Sequence, residues 1–424
     1  MKLQTILKRL QKLHPKEIDL SLGRVFRLCK KLGNPQNNLD CISVVGTNGK
    51  FSTIQVMKSI LDESNINYNI YTSPHLKRIN ERFVYNNKEI NDEDLAKLLN
   101  KIEKINNGDE ITFFEILTVA FFYGAKNFNK NINLIEAGLF HRFDATNVLE
   151  KNLVTIITAI GLDHLDWLPK NERTIDRIIF EKTSSILNSK IIVSQQENNE
   201  ILNKIKKAIN GNKSEKIIFK DHYNYVKSEN NFIYYEDNKG TLKLEYPNIL
   251  GDFQLANIFN AICTLRNIKK LKISDQNIIK GIKKINITGR LQEISSGKFK
   301  NLSKKNKILV DGSHNILGAK MLSKYLSSLN CNIHMILGMM KNKDHKEYVN
   351  IFKNKLASLT TVDIPNQKNS INRYDLKKKI NNFDLKINTK KTVQDAIRSL
   401  KLNKDDLVVI TGSLYLVGEV LKSN

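Results

Sequence analysis

Cys41-Ile42-Ser43-Val44-Val45-Gly46-Thr47-Asn48-Gly49-Lys50 has the residue types for binding an anion. An apolar run leads into a glycine-bounded turn and a lysine, and residues 51–63 continue as a helix. In that order a strand, a glycine loop and a helix make a phosphate cradle. Backbone N–H groups and the helix N-terminus point at the anion, and Lys50 adds a mobile positive charge. The spacing departs from a full Walker loop, which carries a hydroxyl directly after the lysine. Here Phe51 holds that place and Ser52 comes one residue late. Taken alone, the loop also fits an ordinary strand-to-helix turn.

Polar residues recur where other apolar runs stop. Strand 67–72 leads to Ser73, which Pro74 keeps out of the helical region. Run 132–137 carries Glu136 near its end, and run 153–160 stops before Asp163-His164. Four strand ends delivering polar groups describe a parallel sheet with one active edge. A polar loop, 138–147, follows Glu136, and Glu181-Lys182 sit on a helix over 174–187. Singly, most have blander readings: Ser73 as a turn residue, His164 as a core histidine near Trp167, Lys182 as a solvated helix lysine. His75 reads as a locally bonded side chain. A carboxylate ending a buried strand, as at Glu136, needs a partner.

The elements that position these groups fall into two alternations. Residues 1–33 read as two helices broken near Pro15, with Leu3, Ile6, Leu7, Leu10 and Leu13 on one face of the first. A hairpin over 83–90 and helices over 91–106 and 112–126 follow. Strands over 190–194 and 216–219, a hairpin around 237–240, a helix to about 267 and another over 274–285 complete the first part. After the polar stretch 286–289, strands near 307–311, 332–337, 358–363, 384–388 and 406–411 alternate with helices. The first ends in Asp311-Gly312-Ser313-His314-Asn315 and the last in Thr411-Gly412-Ser413. The fold expected is α/β: a P-loop ATPase domain with a mainly parallel sheet over 1–288, and a smaller Rossmann-like α/β domain over 289–424.

At 424 residues the chain exceeds one ordinary core. Its formal net charge of +25 would suit a nucleic acid or membrane surface. The basic residues are spread among Asn and Glu with no long basic block, so neither partner is expected, although a positive field attracts anionic substrates. Cys29, Cys41, Cys263 and Cys331 form no CxxC pair, which argues against zinc and a disulfide framework. No run approaches the roughly 18 apolar residues of a membrane span, and no cleavage signal is seen at the N-terminus. A cytoplasmic, monomeric protein is expected.

In order, the stretch 18–25, Gly46 to Lys50, Thr72 to Leu76, Glu136 to Leu139, Asp144 to Asn147, Leu162 to His164, Glu181-Lys182, Asn257, Gly289-Arg290 and Asp311 to Asn315 resemble folylpolyglutamate synthase/dihydrofolate synthase of the bifunctional bacterial type, in the Mur ligase superfamily. The resemblance runs over nearly the whole chain. It implies a central ATPase domain with a folate-binding N-terminal segment, then a glutamate-ligase domain. The implied reaction is ATP-dependent amide formation through an acyl phosphate, joining L-glutamate to dihydropteroate or to the γ-carboxylate of a reduced folate.

The resemblance also implies roles. Thr47, Asn48, Gly49, Lys50, Phe51 and Ser52 would bind ATP, with Lys50 and the amides from Asn48 onward on the β- and γ-phosphates. Asn257, Arg290 and Asp311 match further ATP positions, Arg290 toward phosphate and Asp311 toward ribose. Two Mg²⁺ sites follow: Ser73 and Glu136 for one, His164 with Glu136 for the other. Lys182 matches a lysine that is carbamylated in the family, and its carbamate would be a carboxylate-like metal ligand. Thr112 and Asp144 fall at pterin-side positions, and His314 with Asn315 near phosphate or glutamate. Lys50, Lys182, His164 and His314 are the catalytic set. The chain departs from the family at Phe51, where glycine is usual, at Phe140-His141, which replace paired glycines, and at Thr183-Ser184-Ser185, which replace small residues. A related Mur-type ligase acting on another carboxylate is the alternative, and a P-loop regulatory or nucleic-acid-binding protein ranks behind both.

Overall fold

The structure is a computed structural model that describes residues 2–16, 19–186, 189–227, 231–303, 306–381 and 385–424. Ile18, Leu187 and Asp384, each at the edge of an expected element, lie outside the described residues. The chain divides into two compact units. The first takes residues 1–160, 171–248 and 255–285, and the second 161–170, 249–254 and 286–424. Segments 161–170 and 249–254, which the sequence assigns to the first domain, therefore pack with the second.

The first unit is built on an eight-stranded sheet. Its order is Lys88–Glu89, Phe83–Tyr85, Tyr68–Tyr71, Ile132–Glu136, Asp40–Val45, Val154–Ile157, Lys190–Val193 and Lys216–Ile218. From Tyr68–Tyr71 onward every pairing is parallel, and the expected hairpin adds the two antiparallel edge strands. Asp40–Val45 lies at the centre, between strands that follow it by more than ninety residues, with Asp40 opposite Ile132 and Ile42 opposite Val154. The chain runs to one side of this strand and then to the other, which makes its carboxyl end a topological switch point. Buried on both faces, the central strands read as continuous apolar runs.

The helix Lys50–Glu63 starts directly from the glycine turn. It crosses the helix Asp275–Lys283 at a small-residue contact. A Cβ on Gly281 would come within 2.7 Å of the Ile60 Cα. Ser59 Oγ donates to the Gly281 carbonyl at 2.7 Å. A three-stranded antiparallel sheet, Gly240–Glu245, Phe232–Asp237 and Tyr223–Lys227, extends the expected hairpin by one strand. Tyr223–Lys227 has only one buried position in five, so its sequence shows no apolar alternation.

The second unit has a six-stranded sheet in the order Gln292–Glu293, Lys307–Val310, Leu407–Thr411, Ile333–Leu337, Ser358–Thr361 and Ile387–Thr389. All pairings are parallel except that of the short edge strand Gln292–Glu293, which is too brief to show a pattern. Apolar clusters form its core, with Leu309, Met335, Tyr348 and Phe352 in one and Ile308, Ile336, Val408 and Val417 in another. Among the described residues no helix is long and apolar enough to cross a membrane.

Because Ile60 backbone faces Gly281 so closely, Gly281→Ala is expected to lower unfolding free energy by about 1–3 kcal/mol through overpacking. Urea denaturation measures this, and an unchanged midpoint would remove the contact as a support of the helix that starts at Lys50.

Candidate active site

In the first unit the site is built around the carbonyl of Gly46, the residue following Asp40–Val45. Lys50 Nζ donates to this oxygen at 3.0 Å and Lys182 Nζ at 2.9 Å. Lys50 also donates to the Thr47 carbonyl at 3.1 Å. Gly46 has φ +151°, and a Cβ there would fall 2.0 Å from Thr158 Oγ1. Only glycine lets the loop pass this close to the neighbouring strand end. Gly49, with φ +90°, would set a Cβ 2.3 Å from Asn257 Oδ1. The expected ATP-binding residues Gly49 and Asn257 are thus neighbours.

Thr47 and Asn48 N–H both donate to the Ala159 carbonyl, at 2.9 and 3.1 Å. The Asn48 amide, expected on phosphate, is turned into the neighbouring strand end instead. The helix begins at Lys50 with no side-chain cap. The first four N–H groups of an α-helix have no partner within it, which leaves this end suited to an anion. Phe51 stands in the first turn, half-buried, and Ser52 is buried. The aromatic ring does not prevent the helix from starting there.

Ser73 and Glu136 meet as expected: the Ser73 N–H donates to Glu136 Oε2 at 3.1 Å. Adjacent parallel strands, Tyr68–Tyr71 and Ile132–Glu136, deliver them. His75 accepts from Arg82 Nε at 3.0 Å, a local contact. Asp144 is buried, and all its acceptor sites face its own loop. Oδ2 takes Gly138 and Leu139 N–H at 3.0 and 2.9 Å, and Oδ1 takes the Thr146 N–H and hydroxyl at 3.0 and 2.5 Å. Thr112 caps the helix Phe113–Ala125 in a capping box with Glu115. Arg24 binds Glu115 through both Nε and Nη2, and Asp19 through Nη1. That network ties the expected folate-binding segment to the Thr112 cap.

Loop 138–147 docks on the helix Ile175–Thr183. Arg142 N–H donates to the Glu181 carbonyl at 3.0 Å, and its guanidinium spans both Glu181 oxygens at 3.0 and 2.8 Å. Phe140 is buried with φ +57°, a backbone conformation that glycine adopts without cost. Its ring centroid lies 5.8 Å from Lys182 Nζ. His141 is 2% exposed and its Nδ1 has no hydrogen-bond partner among the described residues. Burial, and then the charge of Lys182, push the imidazole down to about 3.

The second unit holds His164, Arg290, Asp311, His314 and Asn315. Asp311 Oδ2 accepts the Leu291 N–H at 2.9 Å and Oδ1 the Ser313 N–H at 2.9 Å, so it orders two turns of its own unit. Arg290 stands beside Gly312, where a Cβ would meet its Nη1 at 2.3 Å. His314 Nδ1 lies 2.8 Å from the Gly312 carbonyl. Asn315 caps the helix Ile316–Ser327 and donates from Nδ2 to Asp163 Oδ2 at 2.8 Å. Asp163 also accepts from Lys343 Nζ at 2.5 Å. Sequence reasoning assigns Lys343 no role, though it follows the strand Ile333–Leu337 at its carboxyl side, where the strand-end rule applies. Among the described residues, no group of three or more His, Cys, Asp or Glu side chains is arranged to hold a metal.

His141 is neutral in the folded chain down to about pH 3, while unfolding restores an ordinary imidazole near 6.5. The unfolded state then binds the extra proton, so stability falls as pH drops through 6.5 toward 3. His141→Phe is expected to flatten this fall by up to about 1.4 kcal/mol per pH unit. Urea midpoints between pH 7 and 5 measure it, and parallel curves would refute it.

Comparisons with known proteins agree over the length of the chain. The family model for the dihydrofolate synthetase C-terminal domain matches residues 293–423. The dihydrofolate synthase/folylpolyglutamate synthase of Buchnera aphidicola is 27% identical, covering 98% of this chain and 96% of that protein. The Bacillus subtilis protein of the same name is also 27% identical, covering 95% and 94%. A solved structure of E. coli FolC in complex with DHPP and ADP superposes with a TM-score of 0.86 at 25% identity, covering 100% of this chain and 97% of that one. Along nearly its whole length the chain is thus similar to dihydrofolate synthase/folylpolyglutamate synthases.

Proposed function

We propose that this chain is an ATP-dependent ligase of folate metabolism. It joins L-glutamate to dihydropteroate, and to the γ-carboxylate of tetrahydrofolate or its polyglutamates. The observation that carries the reading is the convergence of Lys50 and Lys182 on the Gly46 carbonyl, beside a helix start with no side-chain cap. The Lys50 ammonium at a helix N-terminus suits a triphosphate. FolC, with which the chain aligns along its whole length, is a relative seen with ADP and DHPP.

In this reaction the acceptor carboxylate takes the γ-phosphoryl group and ADP leaves. The glutamate amine then attacks the acyl carbon, the amide forms and phosphate departs. Lys50 holds the phosphates, and the N–H groups of the first helical turn add to its field. Ser73 and Glu136 fit Mg²⁺, because hydroxyl and carboxylate are hard oxygen donors and the structure holds these two residues together. When bound, Mg²⁺ neutralises charge on the phosphates. His164 is proposed as a ligand of a second Mg²⁺. Arg290 and Asp311 are proposed for ATP, and His314 with Asn315 for phosphate or glutamate. Asp144 and Thr112 support the acceptor through the loop and cap that they order. Lys182, 4% exposed, is proposed to act as its carbamate. The chain is proposed to work in the cytoplasm as a monomer. A related Mur-type ligase acting on another carboxylate is the second reading.

Phosphate release should require both L-glutamate and a folate acceptor, with dihydropteroate and tetrahydrofolate compared. Release independent of both acceptors would overturn the reading. Lys50→Ala is expected to cut turnover by about a hundredfold or more while leaving the fold intact by circular dichroism. Near-normal turnover would remove Lys50 from the phosphate site. Lys182→Ala should be inactive and partly rescued by a short carboxylic acid that replaces the carbamate. Full activity without rescue would exclude that role.

A further inference from the structure

The second unit carries a serine, a histidine and an aspartate in one hydrogen-bonded line. His334 is the second residue of the strand Ile333–Leu337, Ser358 opens Ser358–Thr361, and Asp406 directly precedes Leu407–Thr411. These strands are parallel neighbours, with His334 opposite Ser358 on one side and Val408 on the other. All three residues therefore stand at the amino ends, away from the Asp311 and Thr411 turns at the carboxyl ends. His334 Nδ1 lies 2.8 Å from Ser358 Oγ, and its Nε2 lies 3.2 Å from Asp406 Oδ2.

The hydrogens in this line follow from the charge at one end. Burial pushes the Asp406 carboxyl up, but the Asn403 N–H, the Asn332 amide and His334 outweigh it and hold the group below the ordinary carboxylate value. An ionised carboxylate only accepts, so the hydrogen between it and the ring sits on His334 Nε2. In the neutral ring the lone pair is then on Nδ1, and the Ser358 hydroxyl donates to it. This is the polarity that activates a serine: a base on the hydroxyl proton and a carboxylate that holds the tautomer of the base. The carboxylate is itself held, Oδ1 by Asn332 Nδ2 at 3.0 Å and Oδ2 by the Asn403 N–H at 2.7 Å. Asp406 and His334 are buried, whereas Ser358 is half-buried and follows the exposed Ala357. The hydroxyl is thus the member of the line nearest solvent.

We propose that Ser358 is a nucleophilic site separate from the ligase site, that His334 is its base, and that it takes acyl groups from activated esters. Asp406 is a positioning residue that acts through His334. Ser358 Oγ attacks the ester carbonyl carbon while its proton passes to His334 Nδ1. The carbon–oxygen bond to the leaving group breaks, and the leaving oxygen takes the electron pair and that proton. Water, giving a proton to the same nitrogen, then attacks the acyl carbon, releases the acid and restores the serine.

A fluorophosphonate tests this on the full chain, since it captures an activated serine by forming an Oγ–P bond as fluoride leaves. Mass spectrometry of the digested chain should place the adduct on Ser358, and urea-unfolded chain should give none. His334→Gln should slow this labelling about a hundredfold, and Asp406→Asn at least about tenfold, with Asp406→Glu recovering part of the rate. Release of p-nitrophenolate from p-nitrophenyl acetate should fall in Ser358→Ala, while glutamate-dependent ATP turnover stays unchanged. Thermal melts accompany each variant. A lowered Tm with an unmoved labelling rate would mean that the line only fastens strand ends, and would overturn the proposal. So would the lack of an adduct on Ser358 in the unmodified chain, or equal labelling after unfolding. If His334→Gln does not fold, the labelling rate of Asp406→Asn decides.

Discussion

Two lysines from distant parts of the chain donate to a single carbonyl oxygen, that of Gly46. Like charges approach one another only where something negative holds them, and in this unit a backbone dipole does so. The rest of the first unit follows from that arrangement. The strand Asp40–Val45 must end at the sheet centre, and its last turn must lack a side chain so that Thr158 can lie against it. The helix Ile175–Thr183 must bring Lys182 inward, and the Arg142–Glu181 pairing holds that helix to the loop after Glu136. Acidic and basic groups are placed here by neighbouring strand ends, so each geometry depends on sheet register rather than on a local motif.

The alternation of strands and helices, the central position of the glycine loop and the Ser73–Glu136 meeting were legible because each leaves a local mark. Buried parallel strands are short apolar runs, and a polar residue at their end stands out. What was not legible depends on partners distant in sequence. Tyr223–Lys227 pairs as a strand without an apolar face. Asn48 gives its amide to Ala159, which nothing near Asn48 announces. Asp144 and Asp311 look like ligand contacts in sequence; in the structure Asp144 accepts from its own loop, and Asp311 accepts the Ser313 N–H of its own loop and the Leu291 N–H twenty residues earlier. A carboxylate in a turn carries the same letter whether it faces a ligand or the chain. Asp163 and Lys343 lie 180 positions apart, and only the fold of the second unit joins them.

Phe140-His141 places two large side chains in a loop whose backbone at Phe140 has a positive φ. Phe140 takes the positive φ that the loop demands and covers Lys182 with its ring. A non-glycine residue in that region costs of order 1–3 kcal/mol. Burying the Phe140 side chain returns an amount of similar size. His141 fills the adjoining space as a neutral ring. The two residues line the surroundings of Lys182 with an aromatic ring and a neutral imidazole.

The position of the glycine loop at the sheet centre also sets when it can exist. Its strand emerges early in synthesis, but its flanking strands come about ninety and a hundred and ten residues later, and the carbonyl of Ala159 later still. Lys182 follows, and Asn257, the neighbour of Gly49, comes later again. Long-range pairings of this kind form slowly, since chain closure precedes the contacts that reward it. The phosphate cradle is thus among the last features of its unit to be assembled, and a chain that has stopped short of Lys182 carries the motif without the pocket.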